Sequence, residues 1–181
     1  MPRLVLISNW TLAAGSERVW SLLTAVDDWP GWWPHLRESR RLSIGDAAGV
    51  GEATHFVWRS GLGYRLGITM TTVRVAHGRE IEAVADGDVA GRGLWVLEPV
   101  ATDRMRLTYR WEVALRRPWM RLLAPLLAPV FSRRHFAVMR AGAAGMAERL
   151  GCSLSDYRDW SGRPLPAGTS APAAPDTVTH G

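Results

Sequence analysis

The period of the apolar positions changes along the chain, and the elements follow from it. Residues 3–13 open as an apolar run and then alternate, with Trp10 and Leu12 on one parity and Thr11 on the other, which predicts a strand. Gly15-Ser16 stops it. Ser16 is the expected N-cap, Glu17 sits in the first turn, and Val19, Trp20, Leu23 and Val26 recur at helical spacing. A short helix is therefore predicted over 16–26. In Asp27-Asp28-Trp29-Pro30-Gly31-Trp32-Trp33-Pro34 the prolines and glycine exclude a long regular element, while the tryptophans demand burial. A tight helical turn folded back onto the core meets both demands.

From Arg37 to Leu115 the pattern is one of strands, at 37–44, 51–60, 64–75, 79–86, 90–98 and 104–115, separated by short turn signals such as Gly45-Asp46 and His77-Gly78. Such short connections imply an antiparallel meander. The clearest strand places Met105, Leu107, Tyr109, Trp111, Val113 and Leu115 on one face, with Arg106, Thr108, Arg110 and Glu112 on the other. Tyr64, Leu66, Ile68 and Met70 repeat that pattern, so the sheet has one apolar side. After Pro118, which suits a first helical turn, the period becomes helical, and Pro125 and Pro129 are expected to kink or divide the segment. Phe131, His135, Val138, Gly142, Met146 and Leu150 then share one face of a helix over about 130–150, ended by Gly151.

The fold class that results is α+β. A seven-stranded twisted antiparallel sheet grips a long C-terminal helix, with two short helices between strands 1 and 2. One domain is expected over 1–155. Residues 156–181 are expected to be a mostly disordered tail, because from Gly162 onward the chain is Pro, Ala, Gly, Thr and Ser without period.

Composition narrows the functional classes. The 181 residues are 47% hydrophobic and 22% charged, ordinary globular usage. No apolar run has the roughly 18–20 residues of a membrane span, and residues 1–10 lack a signal-peptide pattern. With Cys152 alone, no intrachain disulfide or multi-cysteine zinc site can form, and a reducing cytoplasm is the expected compartment. The net charge is +5 and every basic residue is arginine, but the arginines are dispersed rather than clustered, which argues against nucleic acid. Ten tryptophans in a chain this short imply either a crowded aromatic core or an aromatic cavity.

Several segments resemble the SRPBCC or START-like superfamily, and within it the polyketide cyclase/dehydrase family. They are Val19-Trp20-Ser21-Leu22-Leu23, Trp29-Pro30-Gly31-Trp32-Trp33-Pro34, Asp86 through Trp95, Leu107 through Val113, and Pro118-Trp119-Met120 through His135 to Met139. The resemblance spans about residues 5–150 and implies a helix-grip fold. It departs from the family at Arg134, where similar sequences carry asparagine, and at Gly63, where they carry proline.

The chemistry expected of the chain is sparse. The five histidines have no metal-ligand spacing, there is no phosphate loop, and Cys152 has no evident base, so neither metal nor cofactor is expected. His135 is the one ionisable group on the apolar helix face. It is either a core histidine or a polar group in a cavity, acting there as anchor or as general acid/base. Tyr64 and Tyr109 share the inward parity of their strands, whereas His55 and Arg59 are expected outside. Gly142 and Gly145 imply a close helix–sheet approach or room for a guest. The expected function is binding of a small hydrophobic, lipid- or polyketide-like molecule between sheet and helix. The expected ligand-binding residues are Tyr64, Leu66, Ile68, Tyr109, Trp111, His135, Val138, Met139 and Gly142. The resemblance adds a cyclase or aromatase alternative with His135 as the catalytic candidate, and a protein-interaction module using residues 118–131 is a third reading. A monomer or weak homodimer is the expected state.

Overall fold

A computed structural model describes residues 4–59, 65–115 and 124–162. Tyr64, the expected helix start at Pro118 and residues 163–181 of the expected tail lie outside that set.

The chain forms β1 (Leu4–Leu12), α1 (Ser16–Thr24), a 3-10 turn (Val26–Gly31), then β2 (Leu36–Ile44), β3 (Glu52–Arg59), β4 (Arg65–Ala76), β5 (Glu80–Gly87), β6 (Val89–Ala101) and β7 (Arg104–Leu115). The long helix α2 (Ala124–Leu150) and a final strand β8 (Leu154–Gly162) complete it. All strands join one antiparallel sheet in the order β2-β3-β4-β5-β6-β7-β1-β8. β1 is paired on both sides, running Leu4↔Val113 to Leu12↔Met105 against β7 and Val5↔Gly162 to Leu12↔Leu154 against β8. The helix-grip class expected from the sequence is the observed one.

The sheet has eight strands rather than seven. Residues 156–162, expected in the tail, pair with β1 as most of β8. Its residues Leu154-Ser155-Asp156-Tyr157-Arg158-Asp159-Trp160 are mostly polar, so no apolar alternation marks the strand. It is held instead by the open edge of β1 and by Asp159. Ser8 Oγ and the Tyr157 hydroxyl each donate to Asp159 Oδ1 at 2.8 Å, and Arg140 Nη2 donates to Oδ2 at 3.3 Å. That carboxylate fastens the edge strand to both β1 and α2.

Two local expectations are corrected. The N-cap of α1 is Gly15, whose carbonyl accepts from Val19 N–H at 3.2 Å, and Ser16 is the first helical residue. Pro129 does not divide the long helix, which runs unbroken from Ala124 to Leu150. Pro129 lies inside it and removes one backbone helical bond. The other end is as expected. Gly151 takes φ 62°, its N–H bonds Glu148 O, and Cys152 N–H bonds Ala147 O, the two bonds of a Schellman stop.

The Trp-Pro-Gly-Trp-Trp-Pro element is the brace of the fold. Trp29, Trp32 and Trp33 are all buried. Trp29 donates its indole N–H to Leu23 O at 3.2 Å and stacks on Phe56 at 5.3 Å, reaching both α1 and the sheet. Trp33 donates Nε1–H to the carbonyl of Val138, in the middle of α2, at 2.8 Å. Glycines make that approach possible. A Cβ at Gly142 would collide with the Trp33 indole, and one at Gly145 with the backbone carbonyl of Trp32. The close approach expected at these glycines is therefore to the tryptophan turn and not to the sheet.

In an exposed helix, glycine to alanine stabilises by about 1 kcal/mol. Here the sign should reverse. Gly145→Ala should cost about 1–3 kcal/mol by overpacking against unyielding backbone, measured as a lowered urea midpoint at unchanged slope. A gain in stability would show that the tryptophan turn yields easily.

Candidate functional site

Between the concave face of the sheet and α2 lies a cavity of about 880 Å³. It persists because the groups around it cannot collapse inward. β3, β4, β6 and β7 send alternate side chains into it, and six indoles line it: Trp20, Trp29, Trp33, Trp58, Trp95 and Trp111. These rings brace one another. Trp33 meets Trp58 edge-on at 5.1 Å, and Trp95 lies 4.5 Å from Tyr109.

The expected site residues divide as follows. Leu66 and Ile68 from β4, Tyr109 and Trp111 from β7, and His135, Val138 and Met139 from α2 all line the cavity. Gly142 does not; it lies beneath the Trp33 indole. His55 points away, with Nδ1 3.0 Å from Thr69 Oγ1. Arg59 is exposed, as expected, and borders the mouth of the cavity at the end of β3. Thr54, Met70, Trp95 and Arg134 also line the cavity and were not among the expected ligand-binding residues. For Trp95 the signal was blurred, because Leu94 beside it is buried as well and β6 does not alternate cleanly.

The polar centre of the cavity is the facing pair His135 and Tyr109. Their rings lie nearly parallel, 25° apart, with centroids at 6.3 Å, and Phe136 meets the imidazole edge at 5.7 Å. Gly93 makes space for the phenol, since a Cβ there would lie 2.7 Å from the Tyr109 hydroxyl. His135 Nε2 is buried without a hydrogen-bond partner. Burial alone lowers the His135 pKa to about 4 and pushes the Tyr109 hydroxyl above the ordinary tyrosine range. At neutral pH both groups are therefore uncharged. Burial also raises the Cys152 thiol, the reverse of what a nucleophile needs. Among the described residues no three His, Cys, Asp or Glu side chains gather as a metal site requires. No described helix is long and apolar enough to cross a membrane.

The model of the family described as polyketide cyclase / dehydrase and lipid transport matches residues 12–141. The chain belongs to that family. No functionally curated protein matches this member. Its fold is shared by a START superfamily protein from Mycobacterium smegmatis, 13% identical, with a TM-score of 0.68 over 82% of this chain and 97% of that one. The ZhuI aromatase/cyclase from Streptomyces sp. R1128 is 14% identical, with a TM-score of 0.71 over 83% and 94%. A norcoclaurine synthase from Thalictrum flavum, solved with dopamine and hydroxybenzaldehyde, is 14% identical, with a TM-score of 0.56 over 82% and 87%. At these identities the likeness concerns the fold. The family segment contains the tryptophan turn, the cavity strands and His135.

Because its folded pKa lies near 4 against 6.5 when unconstrained, His135 makes stability depend on pH. Between those values the unfolded chain binds a proton that the folded one does not. Stability should then fall as pH drops from about 6.5 toward 4, by at most about 1.4 kcal/mol per unit. Above pH 7 the group contributes no slope. Urea titrations of wild type and His135→Phe across that window should show a flatter profile for the variant; parallel profiles would mean that the imidazole titrates normally.

Proposed function

We propose that this family member binds a small, largely apolar molecule in the cavity between the sheet and α2, with His135 and Tyr109 as its polar contacts. The observation that carries this reading is the size of the cavity together with its lining. The space is about 880 Å³, large enough for a lipid-sized molecule, and its wall is mainly aromatic and aliphatic. Water is a poor occupant of a wall built from indoles and aliphatic chains, since each buried water needs about three polar partners. An apolar guest fits that wall, and a guest with one hydroxyl or carbonyl would also satisfy the imidazole.

The cyclase alternative draws on the family and on the same two rings. An efficient general acid or base has a pKa near the working pH. Here the imidazole is held near 4 and the phenol is raised, so at pH 7 one is a weak base and the other a weak acid. Both are well suited to neutral hydrogen bonding. That difference favours binding over catalysis.

Native mass spectrometry of protein purified from its own cells should reveal a retained apolar molecule. His135→Phe should weaken its retention by about 0.5–1.5 kcal/mol, the net value of one hydrogen bond. If the variant binds normally and instead loses about 10²–10⁴-fold in turnover of a polyketide-type substrate, the enzyme reading replaces this one. A cavity that holds only water and takes up no apolar probe would end both.

A further inference from the structure

Charged residues bordering the cavity are sorted by sign. At the end beneath α1 and the β2–β3 turn they are Asp46 and Glu52; at the opposite end, beside the N-terminal half of α2, they are Arg59 and Arg134. Glu52 and Arg59 are the first and last residues of β3, seven steps of roughly 3.3 Å apart, or about 23 Å. The wall between them is mainly apolar and aromatic.

The two ends also differ in how their charges are satisfied. Arg41 bridges to Asp27 at 3.1 Å and to Glu52 at 3.6 Å. Asp46 Oδ1 accepts the Ala48 and Val50 N–H groups. Burial raises the Glu52 carboxyl despite Arg41. Among the described residues, no carboxylate pairs with Arg59 or Arg134. Asp88, in the turn at that end, accepts Gly67 N–H and does not line the cavity. At the acidic end one polar atom is unsatisfied. Thr54 is 3% exposed, lines the cavity on the same face of β3 as Glu52, and its Oγ1 has no partner. Of the buried side-chain atoms without a partner among the described residues, only Thr54 Oγ1 and His135 Nε2 belong to the cavity wall.

We infer that the cavity takes an elongated amphipathic acid in one direction, its carboxylate at Arg59 and Arg134 and a hydroxyl at Thr54 and Glu52. This rests on the cavity being a binding site. The reverse orientation would set a carboxylate against Asp46 and Glu52 and leave the arginines facing a neutral group. In the inferred direction the guest hydroxyl accepts from Thr54 Oγ–H and donates to the Glu52 carboxylate, so every buried group at that end is paired.

The test uses three matched probes, 1-dodecanol, dodecanoate and 12-hydroxydodecanoate, titrated against tryptophan fluorescence of the full chain at pH 8. Dodecanoate should bind about two- to fivefold more tightly than 1-dodecanol, the upper part of the range of an exposed charge contact. The added hydroxyl should gain a further factor of about three to ten. Arg59→Gln/Arg134→Gln should erase the first step and keep the second, and Thr54→Val should do the reverse. Arg59 and Arg134 are exposed, and Thr54→Val keeps the side-chain shape, so these variants should fold. If all three probes bind alike, or if either variant leaves its step intact, the directional inference fails while the cavity remains a binding site. If none binds, both fall.

Discussion

The hydrogen bond from Trp33 to the Val138 carbonyl is the contact on which the cavity depends. A carbonyl inside a helix already accepts from the residue four places on, and using its second lone pair requires the donor to come in against the backbone. That is sterically open only where the helix carries no Cβ, and Gly142 and Gly145 supply the opening. Two glycines in a helix interior cost about 1 kcal/mol each in propensity. The return is a fixed distance between α2 and the turn that closes the first short helices. With that distance fixed, α2 cannot settle into the sheet. The apolar space beneath its N-terminal half stays open.

Aromatic packing then keeps the opening from being lost elsewhere. Trp29 stacks on Phe56, Trp32 on Trp33, and Tyr109 lies between Trp95 and Trp111. Indoles have few rotamers and large flat faces, so a wall made of them resists repacking more than one made of leucine or methionine. The division of the buried residues follows from this. One cluster, with Trp10, Leu23, Leu107 and Met146, is packed around the tryptophan turn, and a second, with Leu6, Ile68, Trp111 and Val113, forms the floor near the other end. The cavity borders both.

Much of this was legible in the sequence, and the failures have specific causes. Alternation located β4 and β7 and their inward faces, and the helical period placed His135 on the sheet-facing side, because both signals rest on one-sided burial. β8 was missed since its inward positions hold Tyr157 and Asp159, whose fit depends on Ser8 and Arg140 far away in sequence. The glycines of α2 stand out in the sequence, but their partner does not. Nothing local to Gly142 says that a tryptophan more than a hundred residues earlier will fill the gap. Thr54 was invisible for a related reason. A threonine in a strand is unremarkable until the sheet curves enough to show that its hydroxyl has no neighbour.

The unpartnered atoms carry a consequence for the energetics of the molecule. A buried polar group left unsatisfied costs about 1–3 kcal/mol, and His135 and Thr54 each have one on the cavity wall. Apolar substitutes of similar size, phenylalanine and valine, would remove that cost at no evident loss to packing. A fold selected for stability alone would favour them. Keeping the imidazole and the hydroxyl makes sense if the filled protein is the relevant state, because a guest that satisfies both atoms converts two penalties into two bonds. Affinity and folding stability are then linked. Under that reading a guest would be held partly by its own burial, and partly by satisfying polar atoms that the empty protein leaves unpaired.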